Sequence, residues 1–593
     1  MKAKTTAIWF VLAAALFAFI WIYERHFQAP PTAGANLFPG LQSSEVTAIQ
    51  IIPAGAKEIS VHRVKDLWQL EKPVAYPAQP AAIQMLLSAF EKLAAVTRLT
   101  AGELREHKNA DAEFGFENPQ FSIIVETGQQ RWQLLIGNKT APGDQVFVRQ
   151  VGVDGAFVTS ADWLQYLPRN AGQWRDTALI PAADACDWIV ITNGTKVIEL
   201  RRDATNQLWR MLRPLPARAN GPRIAAALQQ LRAAQSAQFI TDDPKADLTA
   251  YGLQPADLDV WLGRGSNYLA AIHAGKGTTE NASLIFARRE DYASVVAVAK
   301  EALSTWRAAV NDFRDPHLLE LTGPIAEIEM RGDNPFTLQR RGSNVWSVAG
   351  EKFPVDTLNV QALIKLLGNL RVAEFVKDVA TGPDLESFGL TRPTRQVILR
   401  TTADDTNSVF AQLVFGSGTN RIFVKRADED FVYAVAAEDV NRLPEHGWEF
   451  RERHLWSFSE TNVAQITLHQ NGKTRQLVRN GKNSWSLAAG SQGIINPAAV
   501  EESVHRLGDL TAAGWVGRNV TEPEKFGLNT NNPSLTAELK SGEKFTVDFG
   551  AELPAAQTAL AAVTLDSERW AFVFPPVVYQ FVAAYLTIPA NAP

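Results

Sequence analysis

The sequence contains nine histidines, one cysteine and sixteen tryptophans, the residue types from which a site would first be built. A metal centre needs ligands gathered at short spacing. His26, His62, His107, His273, His317, His446, His454, His469 and His505 form neither a His-x-x-x-His nor a His-Glu-x-x-His pattern. The closest pair, His446 and His454, flanks Arg451. Cys186 alone can make neither an internal disulfide nor a multi-thiolate zinc site, and it reads as a small buried side chain. Gly275-Lys276-Gly277-Thr278-Thr279 hints at a phosphate loop. It lacks the Gly-x-x-x-x-Gly-Lys-Ser/Thr spacing and leads into no apolar helix. There is no Gly-x-Ser-x-Gly elbow. Two carboxylates suffice for a glycosidase, but nothing singles out a pair. The expectation is a non-enzyme, with no catalytic, cofactor or metal residue and no cofactor.

What does recur is structural. Trp68, Trp209, Trp346 and Trp485 are separated by steps of 141, 137 and 139 residues. Gly115, Gly252, Gly389 and Gly527 step by 137, 137 and 138. Two independent landmarks with one period predict a unit of about 137 residues repeated four times, a count that 593 residues also suggest. The expected boundaries are 43–180, 186–320, 323–457 and 460–587.

Each unit opens with strand-like runs rich in Val, Ile and Thr, such as 46–52 and 463–468, and the third of these strands carries the Trp. A helix follows. Its apolar spacing of three and four is read at Ile83, Leu87 and Phe90, at Ile224, Leu228 and Leu231, at Val360, Ile364 and Leu367, and at Val500, Val504 and Leu507. Pro80, Pro222 and Pro497 stand near the helix starts, where a missing N–H costs nothing. The Trp and this helix face are expected to share one core. The Gly tetrad sits in an aromatic-Gly-Phe/Leu turn with a nearby Pro, where a positive φ or a close backbone approach is expected. Further strands and a short closing helix, for example over 289–303, complete the unit. The expected fold is α+β, each unit a largely antiparallel sheet with two helices.

At three junctions an aromatic residue precedes Arg and an acid: Trp174-Arg175-Asp176, Phe313-Arg314-Asp315 and Phe450-Arg451-Glu452. The pattern is absent after the fourth unit. A planar guanidinium that anchors a neighbouring domain fits this distribution better than a catalytic pair does.

Residues 7–23 carry no charge, and Trp9, Trp21 and Tyr23 lie near the ends of this run. They read as an uncleaved transmembrane anchor, with a cleaved signal peptide as the alternative. Residues 1–6 would be a cytoplasmic tail, 24–42 a linker rich in Pro, Gly and Ala, and the remainder extracytoplasmic. Net charge is −5, and no basic excess points to nucleic acid.

The ordered set Trp68-Gln69-Leu70, Phe114-Gly115-Phe116, Ile136-Gly137, Val146-Phe147-Val148-Arg149 and Trp174-Arg175-Asp176 resembles the bacterial "domain of unknown function 4340" family. The resemblance spans about residues 43–587 if all four units count. It weakens at Leu284-Ile285-Phe286 and in the fourth unit. It implies one N-terminal membrane helix in the bacterial inner membrane and an association with gliding-motility-type ATP-binding cassette transporters. No catalytic residues come with it. The expected function is a non-catalytic extracytoplasmic scaffold or accessory subunit of a cell-envelope assembly, with a protein partner. A glycan or envelope-polymer binding module is the first alternative, and an envelope hydrolase the second. Trp132, Trp163, Trp188, Trp261, Trp306, Trp448, Trp456, Trp515 and Trp570 are left without a repeat-wide place, and exposed ones could stack on sugar rings.

Overall fold

The structure, a computed structural model, describes Leu16, Gly34 and residues 36–321, 323–403, 405–417, 421–491 and 493–588. Apart from Leu16, the anchor read over 7–23 lies outside the described residues. No helix among the described residues is long and apolar enough to cross a membrane. The chain divides into two compact units, Met1–Asp315 and Pro316–Pro593. Each contains two large antiparallel sheets, and the four sheets share one strand order.

The first sheet shows how the unit is built. Val46–Pro53, Ile59–Val64, Leu67–Lys72 and the two-residue strand Tyr76–Pro77 form one meander. Phe121–Thr127, Arg131–Lys139, Gln145–Gln150 and Ala156–Ser160 form a second. The meanders join through their first strands, with Ile51 opposite Ile123. Alternation sends Trp132, Leu134 and Ile136 inward from one strand. Thr97–Leu99 then closes the far edge against Ala156–Ser160. The two later sheets have eight strands because the short strand after the Trp strand is missing from them.

The helices Pro80–Glu91, Gly221–Ala233, Thr357–Asn369 and Pro497–Leu507 cover one face of their sheets. Asn220, Asp356 and Asn496 cap three of them through side-chain oxygens that accept backbone N–H groups. Trp68 shares a core with Ile83, Leu87 and Phe90. Trp209 does so with Ile224, Leu228 and Leu231, and Trp485 with Val500, Val504 and Leu507. In the third repeat Trp346, Val360, Leu363 and Leu367 are buried; Ile364, read as core, lies at an intermediate position. Each fully buried aliphatic side chain contributes roughly 1.5–3 kcal/mol.

Two expectations are corrected, and one strand per repeat is added. Residues 289–303 are not a helix: Val295–Ala299 is a strand of β-branched and small residues, and only Glu301–Ser304 is helical. A strand follows the long helix in every repeat and crosses to the far edge, at Thr97–Leu99, Ser236–Thr241, Glu374–Lys377 and Gly514–Arg518. The first has only three residues and the other three are short and irregular in register, so period-two alternation does not reveal them. The stretch 36–42, read as part of the linker, belongs to the first repeat. Leu37 and Phe38 are buried in its core, and Leu37 N donates to Leu93 O.

Candidate functional site

The polar chemistry of the fold collects at the Trp strands, the seams between repeats, one histidine on an outer sheet face and two clefts. On the Trp strands, an arginine stands directly across from each indole: Arg63 from Trp68, Arg202 from Trp209, Arg340 from Trp346 and Arg479 from Trp485. The guanidinium carbon lies over the ring at 4.7 Å for Arg63, 4.8 Å for Arg202 and 4.4 Å for Arg479. Sequence reading missed these arginines. The signal was an Arg five to seven residues before each Trp, the reach of a two-strand hairpin.

The Gly tetrad adopts φ between 66° and 78°. A second glycine completes the turn. A Cβ on Gly137, Gly275, Gly416 or Gly550 would lie 2.0–2.2 Å from the carbonyl oxygen of Phe114, Tyr251, Phe388 or Phe526. Gly275, Lys276 and Gly277 lie within the strand Asn267–Gly277, so the phosphate-loop hint is a strand pressed against this turn.

The junction arginines share one backbone setting. Arg175, Arg314 and Arg451 form isolated antiparallel bridges with Ala78, Ala219 and Val355, just beyond the Trp strands. Arg175 is 4% exposed. Its guanidinium lies 4.4 Å from the Phe239 ring and 5.5 Å from that of Tyr76, and Nη2 donates to Asp242 Oδ2 at 2.7 Å. Tyr76 belongs to the first repeat, and Phe239 and Asp242 to the second. Ser294 Oγ donates to the other Asp242 oxygen at 2.8 Å. Burial raises the Tyr76 phenol above its ordinary range, so the ring stays neutral.

Arg451 repeats the design between the third and fourth repeats. It lies over Trp570 at 4.6 Å and Phe353 at 5.7 Å, and it donates to Asp566 at 2.8 Å. Arg518 supports the same rings and donates to Glu351 at 2.6 Å and to Glu568 at 2.8 Å. These two carboxylates hold the Arg518 guanidinium firmly charged, and Arg518 in turn lowers the Glu568 carboxyl. Arg314 is also buried, with Nη1 donating to Asn311 at 3.3 Å.

His273, on the strand Asn267–Gly277, is held by two acids. Its Nδ1 is 2.6 Å from Asp259 and its Nε2 is 2.8 Å from Glu290. The hydrogen bond to Asp259 is the main reason its pKa is raised. The two carboxylates sit on opposite ring nitrogens, so they do not converge on a common ligand point. Among the described residues no three of His, Cys, Asp and Glu form a metal-holding group. Burial pushes the Cys186 thiol up to about 12, which leaves it unreactive at neutral pH.

Of the nine unplaced tryptophans, Trp132, Trp163, Trp306, Trp515 and Trp570 are buried. Trp188, Trp261, Trp448 and Trp456 are half-buried. Trp188 covers Gly263, where a Cβ would lie 1.9 Å from the indole. Trp448 and Trp515 line a cleft of about 530 Å³ beside Asn359 and Glu449. Trp515 serves the seam, donating from Nε1 to Arg451 O at 2.9 Å. A second cleft, of about 640 Å³, lies wholly within the fourth repeat.

The family model described as "Domain of unknown function (DUF4340)" matches residues 68–207, 209–352 and 346–531. Each match starts at a Trp of the tetrad and runs across a junction, so matched segments and structural repeats are out of phase. Three segments match where four were expected, and Trp485 falls inside the third. No curated protein matches the sequence. Among solved structures, a DNA polymerase sliding clamp from Pseudomonas aeruginosa is 8% identical, covering 68% of this chain and 93% of its own at a TM-score of 0.12. A DNA polymerase III subunit beta from the same organism is 8% identical, covering 66% and 92% at 0.14. Neither score supports a shared fold.

Proposed function

The chain belongs to the DUF4340 family of unknown function, and from its geometry we propose that it is a non-catalytic scaffold or accessory subunit of a cell-envelope assembly. One observation carries this reading: successive repeats are keyed together by an almost fully buried arginine between aromatic rings, at Arg175 and again at Arg451. Such a seam resists rotation, because a guanidinium stacked on rings and paired to one carboxylate has a single favourable orientation. Linked repeats present long surfaces, which suits holding partners rather than turning over a small molecule. The uncharged run over 7–23 supports attachment to the bacterial inner membrane with the repeats outside the cytoplasm. A transporter complex of the ATP-binding cassette type is the partner this reading favours.

Affinity capture of the full-length protein from gently solubilised membranes tests it. The expected result is one membrane protein retained in fixed stoichiometry and released by the seam variant Arg451→Ala. Capture without a membrane partner, together with turnover of a wall polymer by the purified protein, would sink the scaffold reading.

A further inference from the structure

We propose that the larger cleft of the fourth repeat is a binding site for a neutral saccharide. This site is independent of the scaffold reading and of the seams. The cleft lies between the turn after Gly527, the end of the strand Lys544–Leu553, and the C-terminal helical segments Pro576–Phe581 and Val582–Leu586. Its volume, about 640 Å³, falls within the roughly 300–1,000 Å³ of small-ligand sites.

The wall is particular to this repeat. Pro follows Gly by four residues at Gly115 and Gly389, but by six at Gly527, and the longer loop is Asn529-Thr530-Asn531-Asn532. Asn529 folds the loop by accepting the N–H groups of Asn531 and Asn532, while the Asn532 amide donates to Gly527 O at 2.5 Å. Two amides remain for a ligand. The side chains of Asn471 and Asn531 line the cleft and have no protein hydrogen-bond partner among the described residues, although their backbones are joined by Asn471 N donating to Asn531 O at 3.0 Å. Each presents a donor and an acceptor side by side, the arrangement that a pair of neighbouring sugar hydroxyls can match.

An aromatic ring and the charge balance narrow the ligand class. Tyr579 lines the cleft with its ring centroid 5.9 Å from that of Phe549, which also lines it, and 6.3 Å from that of Phe574, so the ring is braced by two aromatic neighbours. A braced ring meets the apolar face of a pyranose at little cost in side-chain entropy. The lining carries the Glu552 carboxylate and no Lys or Arg. Burial and Glu552 raise the Tyr579 phenol above its ordinary range, so it remains a neutral hydrogen-bond donor. A phosphate or polyanionic ligand would meet a carboxylate and no cation in the lining, the Arg475 guanidinium behind it being held by Thr587 O and Ile494 O, and a lipid chain would meet amides. A neutral polyhydroxylated ligand satisfies the amides, the ring and the charge balance together.

The test is calorimetric titration of the full-length protein in detergent. The neutral probes are tri-N-acetylchitotriose and cellotriose, with a heparin-derived disaccharide as the anionic control. At least one neutral probe is expected to bind with a Kd on the order of 1 mM or tighter. Asn531→Ala, on an exposed loop, should weaken it about fivefold, the worth of one hydrogen bond. Tyr579→Ala should weaken it more, while Tyr579→Phe keeps the ring and most of the affinity. The proposal is overturned if neither neutral probe binds at about ten times that concentration, if Asn531→Ala and Asn471→Ala bind unchanged, or if the anion binds more tightly than both neutral probes.

Discussion

Arg175 and Asp242, on successive repeats, meet through a 2.7 Å hydrogen bond from Nη2 to Oδ2. The pair is asymmetric. The guanidinium is 4% exposed and stacked on rings, while the carboxylate is 39% exposed. Arg451 and Asp566 are paired in the same way, at 10% and 77%. In both seams the cation is desolvated and the anion is not, so the arginine carries most of the coupling.

Arg175→Ala should therefore loosen the second repeat from the first. The expected cost is roughly 2 kcal/mol, less than for a fully buried pair because Asp242 stays in water. Asp242→Asn should cost less, since the ring contacts survive. Hydrogen exchange of the Ser236–Thr241 amides is the readout. Unchanged protection in Arg175→Ala would show that the seam does not depend on this residue.

Gly137→Ala should be among the most damaging small substitutions in the first repeat. The new Cβ would lie 2.0 Å from Phe114 O, while Gly137 is fixed in the strand Arg131–Lys139 and Phe114 O accepts the Asn138 N–H. A loss above about 3 kcal/mol, or failure to fold, is expected. At Gly128 an added Cβ would meet nothing within 4 Å, and φ is not left-handed, so Gly128→Ala should stay within about 0.5 kcal/mol. Thermal melts of the two variants against the parent decide the matter.

His273 should make stability pH-dependent in one direction. Its pKa is raised in the folded chain by Asp259 and Glu290, so its contribution is complete below the unfolded value of about 6.5. That contribution is lost as pH rises through the folded value. The melting temperature of the parent should fall relative to His273→Gln over this window. A constant difference between the two from pH 5 to 9 would exclude such a contribution.

Arg479→Lys keeps the charge but should still destabilise the fourth repeat by about 2 kcal/mol. The planar guanidinium stacks on Trp485 while donating to Val463 O at 2.8 Å and Glu460 O at 2.7 Å. An ammonium cannot keep this geometry. Urea unfolding followed through tryptophan fluorescence reports the loss. A midpoint equal to the parent's would mean that charge alone suffices.

Several parts of this protein are legible in its sequence because they are local. The Trp and Gly tetrads mark the period, and apolar spacing of three and four marks the long helices. The junction arginines stand out because the same neighbours recur beside them. Each of these signals lies within a few residues of the feature it announces. The short crossing strands are hidden from such a reading, since a strand of three residues, or one of four to six with slipped register, carries no periodic signature.

Only the tertiary structure decided the partners. Asp242 is 67 residues from Arg175, and Asp566 is 115 from Arg451, so nothing in the chain between them encodes the pairing. His273 finds Asp259 because strand register sets them opposite one another, and Glu290 because the turn after the strand Leu284–Arg289 brings it to the other ring nitrogen. The fourth-repeat cleft exists because two added loop residues, a strand end and a terminal helix are brought together across some hundred residues. Periodicity records which face of an element is buried. Which side chain meets which across a seam or cleft depends on sheet register and on how repeats dock, and both are settled when distant segments close on one another.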